Sequence, residues 1–410
     1  MLLVLATWPL WFPGSSSDFP MIPLLPLIPS GSSFGAWVGQ LLSAGMVIGL
    51  AAVLLLPKRC RWVWWLIAGS LVGSFLLDQH RLQPWAYQSS IYAMVFATMD
   101  RATARRWLIP LAASVYIYSA AGKFDYQFAH TVGQEFLAAV TDRLGGLFAD
   151  APESRRMRLA LLFPTVELIA GIGVLFRQTR RAAAVVLMLM HVGLLAILGP
   201  WNRDHSHGVL LWNGLLIAQA FLLLFQEPPV GADEPESDRP RPSLGPGVGA
   251  SVVRVVLLLA IAAPLLERRG YWDHWTSWSL YSPHTSHVDI EIHRSAFDRL
   301  PASARAHLGE DTNGDGWSLL DLGRWSLASR RVPVYPQARY RLAVADDLAR
   351  RLELTDEIRA RLAGVSNRWT GERAQRLMRN RAEIDKVLRE FWLRPRLISK
   401  SSSPSSESHL

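Results

Sequence analysis

Hydrophobic and polar positions divide the chain into two unlike parts. Between residues 36 and 267 long apolar runs alternate with short polar stretches, whereas the remaining sequence has the mixed pattern of soluble protein. Because a helix needs about 20 apolar residues to cross a bilayer, the pattern predicts a mainly α fold: a polytopic transmembrane helix bundle of about eight spans with a small α+β extramembrane C-terminal domain. The predicted spans are residues 36–56, 62–77, 85–99, 106–122, 158–176, 182–199, 208–225 and 251–267.

Basic residues in alternate loops predict the orientation of these spans. Lys58, Arg59 and Arg61 share one loop, and the basic loops around residues 101–106 and 177–181 fall on the same side of the membrane. The positive-inside rule makes that side cytoplasmic. Eight crossings then put both termini outside. Since no eukaryote-specific signal is present, we expect a bacterial inner (plasma) membrane with the C-terminal domain on the outer, periplasmic side.

Composition shifts predict six segments. The first is apolar and proline-rich and has no lysine or arginine before Lys58, so it is expected to be an outer segment and no secretory signal is predicted. The stretch before the last span is rich in Pro, Gly and acids, which is typical of a flexible linker. The segments are the N-terminal outer segment (1–35), the bundle (36–226), the cytoplasmic linker (227–250), the last span (251–267), the outer domain (268–395) and a disordered tail (396–410).

The outer domain begins with a strand pattern and continues with helix patterns. HVDIEIH, residues 287–293, alternates apolar and polar positions with the period of a half-buried strand. Three later stretches have the period of amphipathic helices and are predicted as such. They are residues 340–354, 355–365 and 371–392.

The sequence DTNGDGWSLLDL, residues 311–322, is typical of a calcium loop. Asp311, Asn313 and Asp315 occupy the first, third and fifth positions, and Gly316 takes the sharp-turn position. Oxygen ligands at this spacing suit Ca²⁺, but Leu322 stands at the twelfth position, where a glutamate is usual. The alternative is an Asx-rich turn that caps the next helix.

Charge and cysteine usage exclude some classes of function. The 410 residues carry a formal net charge of +9, but the cations are split between short loops and a mixed-charge C-terminal region. We therefore expect the lipid bilayer as a partner and no nucleic acid. Many of the 17 tryptophans lie at the ends of apolar runs, as in an interfacial aromatic belt. The single cysteine, Cys60, excludes an internal disulfide and a C-x-x-C redox site.

Three titratable residues in or at the ends of the apolar runs are candidates for chemistry. Lys123 ends an apolar run just after four small residues, where it either snorkels to the surface or lines a wet cavity. Glu167 and His191 lie near the middle of consecutive spans, so a hydrogen bond between them is predicted. That pair would either hold the helices together or relay protons. The outer loop with Asp204, His205 and His207 is either ordinary wet surface or part of a cavity around Lys123.

The stretch YIYSAAGKF, residues 116–124, resembles the signature of the HTTM family, which includes the membrane domain of vitamin K-dependent gamma-carboxylase. Tyr118, Gly122, Lys123 and Gly133 match, whereas the downstream tryptophan of the family is missing from FAHTVG. The resemblance covers roughly residues 36–226. It implies that Lys123 corresponds to the lysine implicated in activating the vitamin K hydroquinone. DoxX-like and MauE-like membrane proteins share a similar Gly-Lys boundary and are the rival family.

Three functions follow from these patterns. The first is an HTTM-type enzyme at the outer leaflet, acting on a quinol-type or lipophilic cofactor, with Lys123 as general base and Glu167 and His191 as further catalytic candidates. The second is a non-catalytic DoxX-like subunit that supports a partner protein. The third is an anchor for the outer domain. That domain is too small to match the large C-terminal domain of the animal carboxylase, which argues against carboxylation. A transporter is disfavoured because repeat halves and broken-helix pairs are not evident.

Overall fold

Helices account for 64% of the computed structural model, and a small antiparallel sheet lies in the C-terminal part. The structure describes residues 1–13, 18–25, 33–56, 60–142, 145–148, 150–203, 205–226, 248–391 and 393. Most of the predicted linker, the whole predicted tail and the residues Lys58, Arg59 and Asp204 lie outside the described residues.

The described residues up to 226 are mainly helical. A 3-10 turn, Gln79–Arg81, separates the fourth and fifth helices, and a π-helical segment, Ala220–Phe225, extends the twelfth. The helices are α1 (Leu2–Ala6), α2 (Trp8–Trp11), α3 (Ser33–Leu55), α4 (Arg61–Leu77), α5 (Pro84–Thr98), α6 (Arg101–Lys123), α7 (Tyr126–His130), α8 (Val132–Thr141), α9 (Glu153–Ala160), α10 (Leu162–Gly173), α11 (Arg180–Leu198) and α12 (His207–Gln219).

Among the described residues, four helices are long and apolar enough to cross a membrane: Gly35–Leu55, Arg180–Leu198, His207–Phe225 and Val248–Arg269. Every predicted span falls on helix, but α4 is a shorter apolar helix of 17 residues and the segment 158–176 is divided between α9 and α10. Pro164 explains the division, because it has no N–H to donate to the carbonyl of Ala160. The structure thus supports a membrane protein with four candidate spans, fewer than the eight predicted.

The C-terminal part begins with α13 (Val248–Ala262), which continues as a 3-10 segment, Ala263–Arg269. The four strands form one antiparallel sheet in the order β2-β1-β3-β4. The elements are β1 (His287–His293), a 3-10 helix (Arg294–Arg299), α14 (Ala302–Arg305), β2 (Trp317–Leu319), α15 (Leu322–Arg330), α16 (Ala338–Arg351), β3 (Ile358–Ala363), β4 (Gln375–Met378) and α17 (Arg381–Leu388).

Sequence periodicity predicted part of this domain correctly. The strand over 287–293 and the helix at 340–354 are confirmed as β1 and α16. The helix predicted over 355–365 is wrong, because these residues form β3, and the one over 371–392 is wrong in its first part, which forms β4. β3 pairs with both neighbours and buries Ile358 and Ala360 on one face, so partners distant in sequence override its local helical preference.

The N-terminal segment connects the helical part to the C-terminal domain (268–395). Trp11 is fully buried, and the carbonyls of Leu10 and Trp11 accept hydrogen bonds from Arg81 at 3.2 Å each. From the C-terminal domain, Arg330 donates to the carbonyls of Pro9 and Phe19 at 3.2 and 2.9 Å. Two buried guanidinium groups therefore supply hydrogen bonds to backbone carbonyls of this segment.

Candidate functional site

Lys123 is the last residue of α6, and its side chain turns into the protein. The residue is only 7% exposed. Its ammonium donates to Ser119 Oγ at 2.8 Å and to Glu167 Oε2 at 2.6 Å. The C-terminal end of a helix carries partial negative charge, which favours a cation at this position. Lys123 therefore does not snorkel to the surface.

Close packing of α6 against α10 brings the two charged groups together. A Cβ atom on Gly171 would lie 3.0 Å from Tyr116 Cβ and 3.2 Å from the Ile117 side chain, so a larger residue would push the two helices a few tenths of an ångström apart. Both partners of the Lys123–Glu167 ion pair are more than nine-tenths buried. Removing two charges from water is costly, and the short contact with its additional Ser119 hydrogen bond offsets that cost.

His191 connects three helices through a chain of hydrogen bonds. The Asn213 amide donates from Nδ2 to the carbonyl of Val209 at 2.9 Å, so its Oδ1 accepts from His191 Nδ1 at 2.9 Å. The proton on Nδ1 leaves Nε2 of the neutral ring as an acceptor for the Tyr116 hydroxyl at 3.1 Å. The predicted Glu167–His191 hydrogen bond is wrong: the carboxylate pairs with Lys123 and the imidazole with Tyr116 and Asn213.

A partly open cavity of about 190 Å³ joins these groups. Its wall is mainly apolar, and it receives residues from the helices and from the C-terminal domain. The polar lining consists of Gln83, Tyr116, Ser119, Lys123, Glu167, His191, His205, Ser206, Asn213 and Tyr281, and the apolar lining includes Trp85, Trp212, Trp275, Leu280, Val332 and Pro333.

His205 reaches this cavity from the loop before α12. Burial lowers the pKa of His205, so its ring is neutral near pH 7. The N–H of Ser206 donates to His205 Nδ1 at 2.8 Å, which places the ring proton on Nε2. His205 thus adds a neutral hydrogen-bond donor to the lining of the cavity.

The calcium candidates lie in a separate, exposed loop of the outer domain. Asp311 accepts from the Gly316 N–H at 2.7 Å, and Asp315 accepts from the Trp317 N–H at 3.1 Å and pairs with Arg359 at 3.2 Å. These contacts are those of an Asx-rich turn before β2. Asn313 is exposed in the same loop. Calcium binding by this loop stays a prediction.

Sequence reasoning missed Ser119 and Tyr116 as members of the site. A signal for them existed: residues 116, 119 and 123 have the spacing i, i+3, i+7 and share one face of α6. By contrast, the wall formed by Trp275, Leu280 and Pro333 depends on how the C-terminal domain packs against the helices. Local sequence patterns do not predict that packing.

Comparisons with protein-family profiles, with curated proteins and with solved structures find no match for this chain. The resemblance to the HTTM family therefore rests on the signature residues between Tyr118 and Gly133.

The glycine before Lys123 offers a test of the site's construction. A Cβ atom on Gly122 would lie 2.6 Å from Ser282 Oγ and 3.2 Å from Ser282 Cβ. We expect Gly122→Ala to lower the free energy of unfolding by about 1–3 kcal/mol, the usual cost of overpacking. Adding Ser282→Ala should recover part of that loss. The matched control is Gly69→Ala in α4, where nothing lies within 4 Å of the added Cβ and no loss is expected. Equal effects at the two glycines, measured by denaturation in detergent, would contradict the packing argument.

Proposed function

We propose that this chain is an HTTM-like integral membrane enzyme whose helices cross the membrane eight times. Its site faces the outer leaflet of a bacterial inner membrane, below a periplasmic C-terminal domain, and removes a proton from a quinol-type substrate. One observation carries the proposal: a buried acid–base pair, Lys123 and Glu167, lines a partly open, mostly apolar cavity. Largely apolar pockets with a few convergent polar groups are typical of small-molecule sites.

The ion pair gives the site a base. In the resting state the proton is on the Lys123 ammonium and the Glu167 carboxylate accepts it. Transfer of that proton to Glu167 yields a neutral amine and a neutral acid and leaves the net charge of the pair unchanged. The neutral amine of Lys123 then takes the proton of a substrate hydroxyl, and His205 donates a hydrogen bond to the oxygen left behind.

The size of the cavity limits the substrate. A cavity of about 150 Å³ holds benzene in another protein, so the volume of about 190 Å³ suits one substituted ring. Trp85, Trp212 and Trp275 supply flat apolar surfaces for such a ring. The cavity is too small for an isoprenoid tail as well as the ring. The ring would therefore bind in the cavity, at the end of the helix bundle, and the tail would extend into the lipid.

Quinol oxidation in air tests this function, because a quinolate anion reacts with oxygen faster than the neutral quinol. We expect the purified protein to accelerate oxidation of a short-chain quinol, and Lys123→Met combined with Glu167→Leu to lower that rate about 10²–10⁴-fold, the usual share of general base catalysis. Lys386→Met, which changes an exposed lysine on α17, is the matched control and should leave the rate unchanged. Binding is followed separately by quenching of the cavity tryptophans.

The second candidate is a non-catalytic subunit or anchor for the outer domain. It is favoured by the contacts of Lys123 itself, whose ammonium already has Ser119 and Glu167 as partners without any substrate. If the folded double variant binds quinone analogues and oxidises quinol as the unchanged chain does, the pair only holds α6 to α10 and this second candidate gains.

A further inference from the structure

Two histidines and a glutamate converge where the last candidate span meets the outer domain. His274 Nδ1 lies 2.9 Å from Glu267 Oε1, and His284 Nε2 lies 2.9 Å from Glu267 Oε2. The three ligand atoms all lie within 4.8 Å of one another. Among the described residues this is the group of acidic, histidine and cysteine side chains close enough to hold a metal ion.

The donor set is that of a zinc site. Two imidazoles and one carboxylate are a recurrent ligand set for Zn²⁺, with bonds of about 2.0–2.2 Å. Tetrahedral bonds of that length separate the ligand atoms by about 3.3 Å. The nitrogen–oxygen distances of 2.9–3.0 Å need to open by a few tenths of an ångström to admit the ion, and the two imidazole nitrogens, which lie within 4.8 Å of each other, need to reach the same separation. A fourth position remains for water or for the second carboxylate oxygen.

Burial and local charge are also suitable. The side chains of Glu267, His274 and His284 are 10%, 5% and 0% exposed, so an ion held between them is shielded from competing water. The nearest basic neighbour in sequence, Arg268, is bound to the buried carboxylate of Asp125 at 2.6 Å. Asp125, which lies outside the cluster, therefore neutralises the charge of Arg268.

The position of the cluster suggests what an ion would do. Glu267 belongs to the 3-10 extension of α13, and the two histidines belong to the chain that leads to β1. Between those histidines lie Trp275 and Leu280, which form part of the wall of the Lys123 cavity. A bond between Glu267 and both histidines would fix this wall to the end of the last candidate span.

We propose that Glu267, His274 and His284 bind a structural Zn²⁺ ion that ties the outer domain to the last helix. Binding requires neutral imidazoles and an ionised carboxylate. Each zinc–nitrogen bond replaces an N–H···O contact between a histidine and Glu267. The proton of that imidazole then lies on its other ring nitrogen. The site is separate from the acid–base pair and does not depend on the function proposed for it.

Metal binding is tested on the full-length protein in detergent after removal of metal by a chelator. We expect equilibrium dialysis against Zn²⁺ to retain about one ion per chain, Co²⁺ to give the strong visible absorption of a tetrahedral site, and Zn²⁺ to raise the melting temperature. Glu267→Gln and His274→Gln should abolish all three effects. The control is His287→Gln, which removes an exposed histidine paired only with Asp289.

Each outcome bears on the proposal. Because dialysis and the Co²⁺ spectrum are measured first on the unchanged chain, a variant that fails to fold does not block the test. Retention of Zn²⁺ that disappears in Glu267→Gln but not in His287→Gln supports the site. No retained ion in the unchanged chain, or equal retention in all three variants, would overturn it and leave a metal-free hydrogen-bonded cluster.

Discussion

Replacing Lys123 by methionine is expected to lower the free energy of unfolding by about 3–5 kcal/mol. The change leaves the Glu167 carboxylate more than nine-tenths buried without its cation, and an uncompensated buried charge is among the costliest single defects in a protein. The measurement is equilibrium unfolding of the purified protein in detergent. Methionine keeps much of the length of the lysine stem, so loss of packing contributes little to the expected effect.

A double substitution separates the charge from the packing. Lys123→Met combined with Glu167→Leu replaces the pair by apolar groups of similar size, and such replacements of buried pairs are often neutral or stabilising. We therefore expect the double variant to recover most of the stability lost by Lys123→Met alone. A double variant as unstable as the single one would show that Glu167 is not the group that Lys123 neutralises.

The sequence was sufficient to find the centre of the candidate site. The Gly-Lys boundary singled out Lys123, and the depth of Glu167 and His191 within apolar runs marked both as inward-facing. The sequence could not decide whether Glu167 pairs with Lys123 or with His191, because that depends on how α6 and α10 cross. The two helices pack closely at Gly171, and the sequence of an apolar helix does not identify the helix that packs against its glycine.

Elements stabilised by distant partners were the ones that local patterns predicted wrongly or not at all. β3 has a helix-like sequence but lies between two strands that are each more than ten residues away in the chain. Glu267 and His284 are separated by 17 positions, and the cluster has no regular ligand spacing, because a turn and not a helix brings its members together. Hydrophobic periodicity predicts which face of a helix or strand is buried. It does not predict which elements distant in sequence that face contacts.

A second ion pair, poorly exposed to solvent, lies within the C-terminal domain. Arg339 on α16 holds Asp273 with both ends of its guanidinium, one contact being 2.5 Å from Nη1 to Oδ1, and Tyr335 donates to the same carboxylate at 2.5 Å. Burial opposes the charge of Arg339, but the hydrogen bonds and the charge of Asp273 outweigh it and raise the pKa of Arg339 above its usual value. The guanidinium is therefore charged at every working pH.

Asp273→Asn is accordingly expected to lower the free energy of unfolding by about 3–5 kcal/mol, because the change keeps the shape of the side chain but leaves the Arg339 cation buried without a counter-charge. The matched control is Asp298→Asn, which breaks the exposed pair with Arg305 and should cost at most about 1 kcal/mol. Both variants are compared by urea unfolding of the full-length protein followed through tryptophan fluorescence. If Asp273→Asn costs no more than Asp298→Asn, the ion pair with Arg339 adds little to stability. If it costs several times more, Asp273 fixes the chain beside the cavity wall to α16. Its loss should then also weaken the quinone binding that is proposed for the Lys123 cavity.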